Sequence, residues 1–81
     1  MRVEFSAKFE REYARAPSHI RKAFDKKLPF LIQSLNHPSL RAKKYDQSRD
    51  IWQARVNGGY RFYFRIEGDS YKIISLIPHP K

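Results

Sequence analysis

The chain contains no cysteine, and several other features are scarce. Without thiols it forms no disulfide and no thiolate metal site, which suits a reducing compartment. Its three histidines are scattered along the sequence, so no zinc site is expected. No apolar run approaches the roughly 18 residues of a membrane span, and the start "MRVEFSAKFERE" is too charged for a secretory signal. We therefore expect a cytoplasmic protein with no metal, no cofactor and no membrane association.

Acidic residues are also scarce relative to basic ones. Eight Asp and Glu stand against 17 Lys and Arg, which gives a formal net charge of +9. A small domain this basic usually binds a polyanion, either nucleic acid or an acidic protein. The 81 residues allow one domain, spanning 1–81, and a hydrophobic content of 41% is enough for a single core.

The chain begins with a predicted strand and a short helix. The stretch "RVEF" alternates polar and apolar residues, as a strand does. Ser6 suits the N-cap of a helix that carries Phe9 and Tyr13 on one face, one turn apart. The stretch "RAPS" ends this helix, and Pro17 suits the first turn of the next one.

A second, longer helix is predicted from an apolar stripe that recurs every three or four residues. Pro29 is expected to bend or split this helix, and "NHP" (36–38) ends it. The following stretch, 39–50, has no clean period and is predicted to be a basic loop. The stripe consists of Ile20, Ala23, Phe24, Leu28, Leu31 and Leu35.

Three strands are predicted in the second half of the chain. The stretches "IWQARV", "YRFYFRI" and "SYKIISLI" are rich in aromatic and β-branched residues, and "NGG" and "EGD" separate them as hairpin turns. The predicted order is therefore β-α-α-β-β-β. This is an α+β fold, with two N-terminal helices on one face of a small, mostly antiparallel twisted sheet.

The length of the first hairpin loop decides which side chains share a face. A three-residue loop with a glycine bulge, 57–59, gives one apolar face under the helices and one cationic face. A two-residue loop would put Arg55 among the aromatic side chains, where a buried charge is costly. The three-residue loop is thus predicted. It places Trp52, Ala54, Val56, Tyr60, Phe62 and Phe64 on one face, and Gln53, Arg55, Arg61, Tyr63 and Arg65 on the other.

The ordered set "HPSLRAKK", "DIWQARV", "YRFYF" and "IPH" resembles the RelE/ParE superfamily of type II toxin–antitoxin toxins, and best its RelE-like branch. The resemblance covers essentially the whole chain. It implies a RelE-like fold and, for the RelE branch, metal-free cleavage of mRNA in the ribosomal decoding site. The ParE branch has a similar fold but acts on DNA gyrase. Both branches imply a cognate antitoxin as partner, and the RelE branch adds mRNA and the ribosome.

The resemblance also assigns roles to individual residues. The arginine of the "YR" strand corresponds to Arg61, the basic residue of the preceding strand to Arg55, and the Arg or His after the last strand to His79. A second position on the preceding strand, lysine in some members, is Gln53 here and is neutral. The sequence also ends at Lys81, before the segment that carries a catalytic aromatic residue in some members.

Metal-free RNA cleavage explains why these residue types belong together. A 2′-hydroxyl attacks the neighbouring phosphate, so cations must hold the added negative charge and a titratable group must move protons. Arg61 and Arg55 form a phosphate clamp in this interpretation, and His79 is the acid or base, since imidazole titrates near neutrality. Further RNA contacts are expected from Arg41, Lys43, Lys44, Gln53, Tyr63 and Arg65, with Tyr63 stacking a base.

Each of these residues also has an ordinary interpretation. A strand arginine can simply be solvated, a terminal histidine can be frayed, and a basic loop can serve only solubility. Two other functions therefore stay open. One is a gyrase-directed or catalytically inactive toxin that only binds its antitoxin, and the other is a small non-enzymatic RNA- or DNA-binding protein.

Overall fold

A computed structural model describes residues 2–79, which form five strands and two helices. The elements follow one another as β1 (Arg2–Phe5), α1 (Ala7–Arg15), α2 (Ser18–Gln33), β2 (Lys43–Asp46), β3 (Ile51–Arg55), β4 (Tyr60–Glu67) and β5 (Ser70–Pro78). No helix in this part of the chain is both long and apolar enough to cross a membrane.

The five strands form one mixed sheet in the order β1-β5-β4-β3-β2. Three of the four pairings are antiparallel, and β1 alone pairs in parallel, with the first half of β5. The predicted α+β class, with two helices packed on a mostly antiparallel sheet, is confirmed. Parallel neighbours need a long connection, and here the two helices and β2–β4 lie between β1 and β5 in the chain.

The predicted loop over 39–50 contains a strand that the sequence did not indicate. Lys43–Asp46 pairs with β3 and forms the edge of the sheet. Its four residues, KKYD, include no aliphatic side chain, and three of the four are exposed. A charged, short edge strand is a common way to prevent pairing with other chains. Such a strand is held by backbone hydrogen bonds rather than by the packing of an apolar face. Its sequence therefore shows no alternation of polar and apolar residues from which it could be predicted.

The first helix starts as the sequence predicts, and the second starts one residue later than expected. The Ser6 hydroxyl caps α1 by accepting from the Phe9 N–H at 3.0 Å. Pro17 is the N-cap of α2 rather than a residue of its first turn. Pro29 lies inside α2, which runs unbroken to Gln33, so the helix is not split there. Pro29 removes one backbone hydrogen bond of α2, but it lies near the end of the helix, so few residues follow that the loss could disturb.

The aromatic face of the sheet lies under the helices. Phe62 and Phe64 are fully buried, and the Phe24 ring of α2 meets Phe62 edge to face at 5.2 Å. Trp52 stacks on Phe64 and is half-buried, and the Lys44 ammonium lies over its indole ring at 4.9 Å. The predicted division of the strands into an aromatic face and an opposite face is therefore confirmed.

Helix α1 also covers an edge of the sheet. Beyond Ile73, β5 has no strand on its β1 side, so its outward N–H groups need other partners. The Glu12 carboxylate accepts from the Leu76 N–H at 3.0 Å and from the Ser75 hydroxyl at 2.9 Å. Pro78, which has no N–H to satisfy, ends the strand.

The first hairpin has the predicted register with a different backbone. Trp52 pairs with Phe64 and Arg55 with Arg61, which leaves 57–59 as a three-residue loop. Neither Gly58 nor Gly59 is left-handed; the Asn57 side chain holds the loop instead, by accepting from the N–H groups of Gly59 and Tyr60. Gly68, in the second hairpin, is the left-handed glycine, with φ of 58°.

Candidate phosphate-binding site

Two arginines face each other across the centre of the sheet, on the side away from the helices. Arg55 on β3 pairs directly with Arg61 on β4, and like charges so placed repel. Together with three neighbours they line a pocket of about 210 Å³, here called the cationic pocket. It is lined by Arg41, Lys43, Gln53, Arg55 and Arg61.

Arg61 is held in place by the hairpin loop. Its Nη1 donates to the carbonyl oxygens of Asn57, at 2.7 Å, and Tyr60, at 3.0 Å. Neither Nη2 nor Nε donates to any of residues 2–79, so one edge of the guanidinium fork stays available. This edge can hold two oxygens of one phosphate, and the anchored edge means that little side-chain freedom is lost on binding.

Arg55 and Arg41 form the opposite wall of the pocket. The Arg55 N–H donates to the Leu40 carbonyl at 2.7 Å, which fastens the segment before β2 to β3 and brings Arg41 to the pocket. Arg41 is left-handed, with φ of 48°, a conformation that is unfavourable for a residue with a side chain. Non-glycine residues of this kind cluster at functional sites, so the strain is consistent with a binding role.

Within residues 2–79, no carboxylate pairs with these side chains. All eight acidic residues lie within the described part of the chain, and none of them lines the cationic pocket. The ion pairs lie elsewhere, for example between Lys72 and Glu67 and between Arg49 and Asp46. Four cations thus converge without a partner anion from the described part of the chain, and an external anion would relieve their repulsion.

A second, wider cleft of about 440 Å³ continues from this pocket and shares Arg41 and Arg55 with it. Its outer wall includes Lys27 of α2, whose Nζ donates to the Ser39 carbonyl at 3.1 Å and therefore stays at the cleft. This position could not be predicted, because Lys27 lies off the apolar stripe and resembles any solvated helix lysine.

Gln53 and Tyr63 form a buried floor beneath the cations. They are only 7% and 6% exposed, and the Tyr63 hydroxyl donates to Gln53 Oε1 at 3.2 Å. Burial, and then the neighbouring Tyr45 phenol, raise the pKa of Tyr63, while Arg61 lowers it in part. The phenol is therefore neutral at physiological pH and is not a base. Its ring contacts the Tyr45 ring, and because the residue is almost completely buried it offers no open face for base stacking.

His79 joins the site through the same hairpin loop that anchors Arg61. Its N–H donates to the Gly59 carbonyl at 2.8 Å, and the residue is exposed. It does not line the cationic pocket. The loop therefore connects two of the predicted catalytic residues, because its carbonyl oxygens accept from Arg61 and from His79.

Two predicted RNA contacts lie away from the pocket. Lys44 follows Lys43 on a strand, so it points to the opposite face, where it pairs with Asp50 and covers Trp52. The expectation that Lys44 shares a groove wall with Lys43 is corrected by this alternation. Arg65 lies on the same face as Arg61, but its Nε donates to the Arg49 carbonyl at 3.1 Å, beyond the pocket.

A converging set of unpaired cations over a rigid sheet can bind a phosphate and stabilise extra negative charge on it. Across residues 2–79, no three His, Asp or Glu side chains are grouped as ligands for a metal ion. The fold and the site together define a small basic protein whose sheet presents a concavity lined by cations.

The sequence profile described as "ParE toxin of type II toxin-antitoxin system, parDE" matches residues 3–80. The chain therefore belongs to the ParE toxin family of type II toxin–antitoxin systems. No curated protein matches it at a significant level. The predicted RelE/ParE superfamily is confirmed, and the profile carries the name of the branch that the sequence analysis ranked second.

Solved structures of this superfamily share the fold. The YoeB/ParE toxin from Agrobacterium tumefaciens matches with a TM-score of 0.82 at 13% identity, over 99% of this chain and 100% of that one. The RelB–RelE antitoxin–toxin complex from Methanococcus jannaschii gives 0.79 at 24% identity, over 94% and 89%. The isolated E. coli RelE toxin gives 0.77 at 18% identity, over 99% and 85%.

Proposed function

We propose that this toxin is a metal-free endoribonuclease that cleaves mRNA, presented by the ribosome, at the cationic pocket. The observation that carries the proposal is the convergence of Arg41, Lys43, Arg55 and Arg61 without a carboxylate among the described residues. A pocket of about 210 Å³ with this charge fits a single phosphate group.

The proposed reaction is an internal transfer at phosphorus. The 2′ oxygen forms a bond to the phosphorus, and the bond to the 5′ oxygen of the next nucleotide breaks. Arg61, through its Nη2 and Nε, and Arg55 hold the phosphate oxygens as charge accumulates on them. His79 protonates the departing 5′ oxygen, and the proton of the 2′-hydroxyl passes to water or to a phosphate oxygen. The product is a 2′,3′-cyclic phosphate.

The ribosome and an antitoxin complete the proposal. A domain of 81 residues offers little surface for selecting a sequence, so presentation of a single-stranded codon by the ribosome supplies what the toxin lacks. An antitoxin with acidic residues would neutralise the cationic pocket directly, in the cytoplasm where mRNA is translated. The antitoxin complex among the similar structures supports a protein partner of this kind.

The test is cleavage of mRNA on programmed ribosomes, with the product ends identified. Wild-type protein should still cut after a chelator has removed the free divalent metal ions and left those bound to the ribosome. The products should carry a 2′,3′-cyclic phosphate or the 3′-phosphate derived from it. His79→Ala should lower the cleavage rate by about 100- to 10,000-fold. His19→Ala is the matched control, since His19 is an exposed histidine at the start of α2 that lines neither the cationic pocket nor the wider cleft.

A second function is favoured by the family profile, which is that of ParE. In this alternative the same cationic face binds DNA gyrase and cuts no RNA. A parallel assay of gyrase supercoiling separates the two: inhibition of gyrase without mRNA cleavage would establish the alternative. Binding of an antitoxin without either activity would indicate an inactive toxin.

A further inference from the structure

A third concavity lies beside the cationic pocket on the same face of the sheet. It has a volume of about 350 Å³ and a mostly apolar lining, here called the apolar pocket. Tyr63 forms its floor, and its walls include Tyr45, Ile51, Ile74 and Ile77. Nothing in the proposed cleavage reaction uses it.

Two irregularities in the sheet build this pocket. The register of β2 shifts between Lys44 and Asp46, which makes Tyr45 the extra residue of a β-bulge. The register of β5 against β4 shifts between Tyr63 and Phe64, which makes Ile74 the extra residue of another. Bulges redirect side chains and are enriched beside functional sites. Here the extra residues of two separate bulges, Tyr45 and Ile74, line the same pocket.

Tyr45 is exposed in a way that packing does not explain. The residue is 61% exposed, and its ring meets the Tyr63 ring nearly at right angles, with 4.9 Å between centroids. Because most of the residue is exposed, the ring is accessible to a ligand. An exposed aromatic ring over an apolar floor is the usual platform for a planar base.

The apolar pocket lies one side chain away from the phosphate clamp. Ile77 on β5 pairs directly with Arg61 on β4, and cross-strand neighbours lie about 5 Å apart. The two floors are also joined, since the Tyr63 hydroxyl donates to Gln53 of the cationic pocket. A phosphate and the base of the same nucleotide can therefore occupy the two pockets together.

The cations at the rim of the apolar pocket are already neutralised. Arg49 pairs with Asp46 at 3.2 Å, and Lys8 pairs with Glu12 at 3.4 Å. Of these two pockets, only the cationic pocket is therefore lined by cations that have no carboxylate partner among the described residues. The two pockets together would accept a ligand with an anionic group at one end and an uncharged planar group at the other. A nucleotide has this arrangement, and we take an RNA strand as the occupant.

We propose that the apolar pocket binds the base of the nucleotide whose phosphate occupies the cationic pocket, with Tyr45 as the stacking platform. This inference rests on the proposed function and adds that the base of the substrate positions the nucleotide on the toxin. Stacking on one aromatic side chain should strengthen binding about 5- to 150-fold over the same phosphate without a base.

The experiment compares adenosine 5′-monophosphate with ribose 5-phosphate by NMR titration of the isolated toxin. Wild-type protein should bind the nucleotide at least 5-fold more tightly. Tyr45→Ala should abolish that preference, and Tyr45→Phe should retain it, because it keeps the ring. Arg61→Ala should weaken both ligands to a similar degree. A trinucleotide of RNA should bind at least as tightly as the mononucleotide.

Several results would overturn the proposal. The base has no site here if both ligands bind the wild type equally, or if Tyr45→Ala, folded with an unchanged spectrum, keeps the preference. Tighter binding of the mononucleotide than of the trinucleotide would show a site for free nucleotides. Loss of antitoxin binding alone in Tyr45→Ala would assign the pocket to a protein partner. Because no readout is cleavage, a toxin that cuts no mRNA can still pass this test.

Discussion

Replacing Glu12 by alanine should destabilise the fold far more than its partly exposed position suggests. Its carboxylate accepts from the Leu76 N–H at 3.0 Å and the Ser75 hydroxyl at 2.9 Å, and only 22% of the side chain is exposed. Hydrogen bonds to a charged group contribute about 1.5–3 kcal/mol each, and the loss leaves a strand N–H without a partner. Allowing for partial access of water, we expect a loss of about 2–4 kcal/mol.

Thermal unfolding followed by circular dichroism measures this change. In a domain of this size each kcal/mol lowers Tm by about 4–8 °C, so a fall on the order of 10–25 °C is expected. Glu12→Gln keeps an accepting oxygen and should fall much less. Glu10→Ala is the control, because Glu10 is an exposed carboxylate on the same helix. If Glu12→Ala melts within a few degrees of Glu10→Ala, α1 does not hold the β5 edge as described.

Two further predictions concern the turns of the sheet. Gly68→Ala should lower the free energy of unfolding by about 1 kcal/mol, since φ of 58° strains any side chain, whereas Gly58→Ala should be neutral in denaturant titrations. Ser48 and the Arg49 N–H lower the pKa of the Asp46 carboxyl. The stability that Asp46 contributes is therefore complete above the ordinary Asp pKa and lost as the pH falls through the lower folded value, so Asp46→Asn should weaken the acid dependence of unfolding.

The central part of the sheet was predictable because charge and alternation agree there. Burying Arg55 among aromatic rings is so unfavourable that only one hairpin length was possible, and this length also sets Arg55 opposite Arg61. The cationic pair thus followed from the sequence. The family followed as well, because its motifs occur in order along the same strands.

The edges of the sheet and the apolar pocket were not predictable in the same way. Strand β2 is a charged edge strand, so it lacks the alternation that would have separated Lys43 from Lys44. Tyr45 and Ile74 are bulge residues, and a bulge breaks the period from which a face is inferred. Glu12 meets Leu76 across 64 positions, a contact that local pattern does not encode.

The rate of mRNA cleavage on ribosomes by Arg61→Ala, compared with Arg65→Ala, tests the central claim most directly. Both changes remove one arginine from the same face of β4, but only Arg61 lines the cationic pocket. Arg61→Ala should fold and lose about 100- to 1000-fold in rate, as expected for removal of a donor that stabilises the transition state. Arg65→Ala should stay within a few-fold of wild type. Equal rates for the two folded variants, or full activity in Arg61→Ala, would contradict the assignment of the cationic pocket as the site of cleavage.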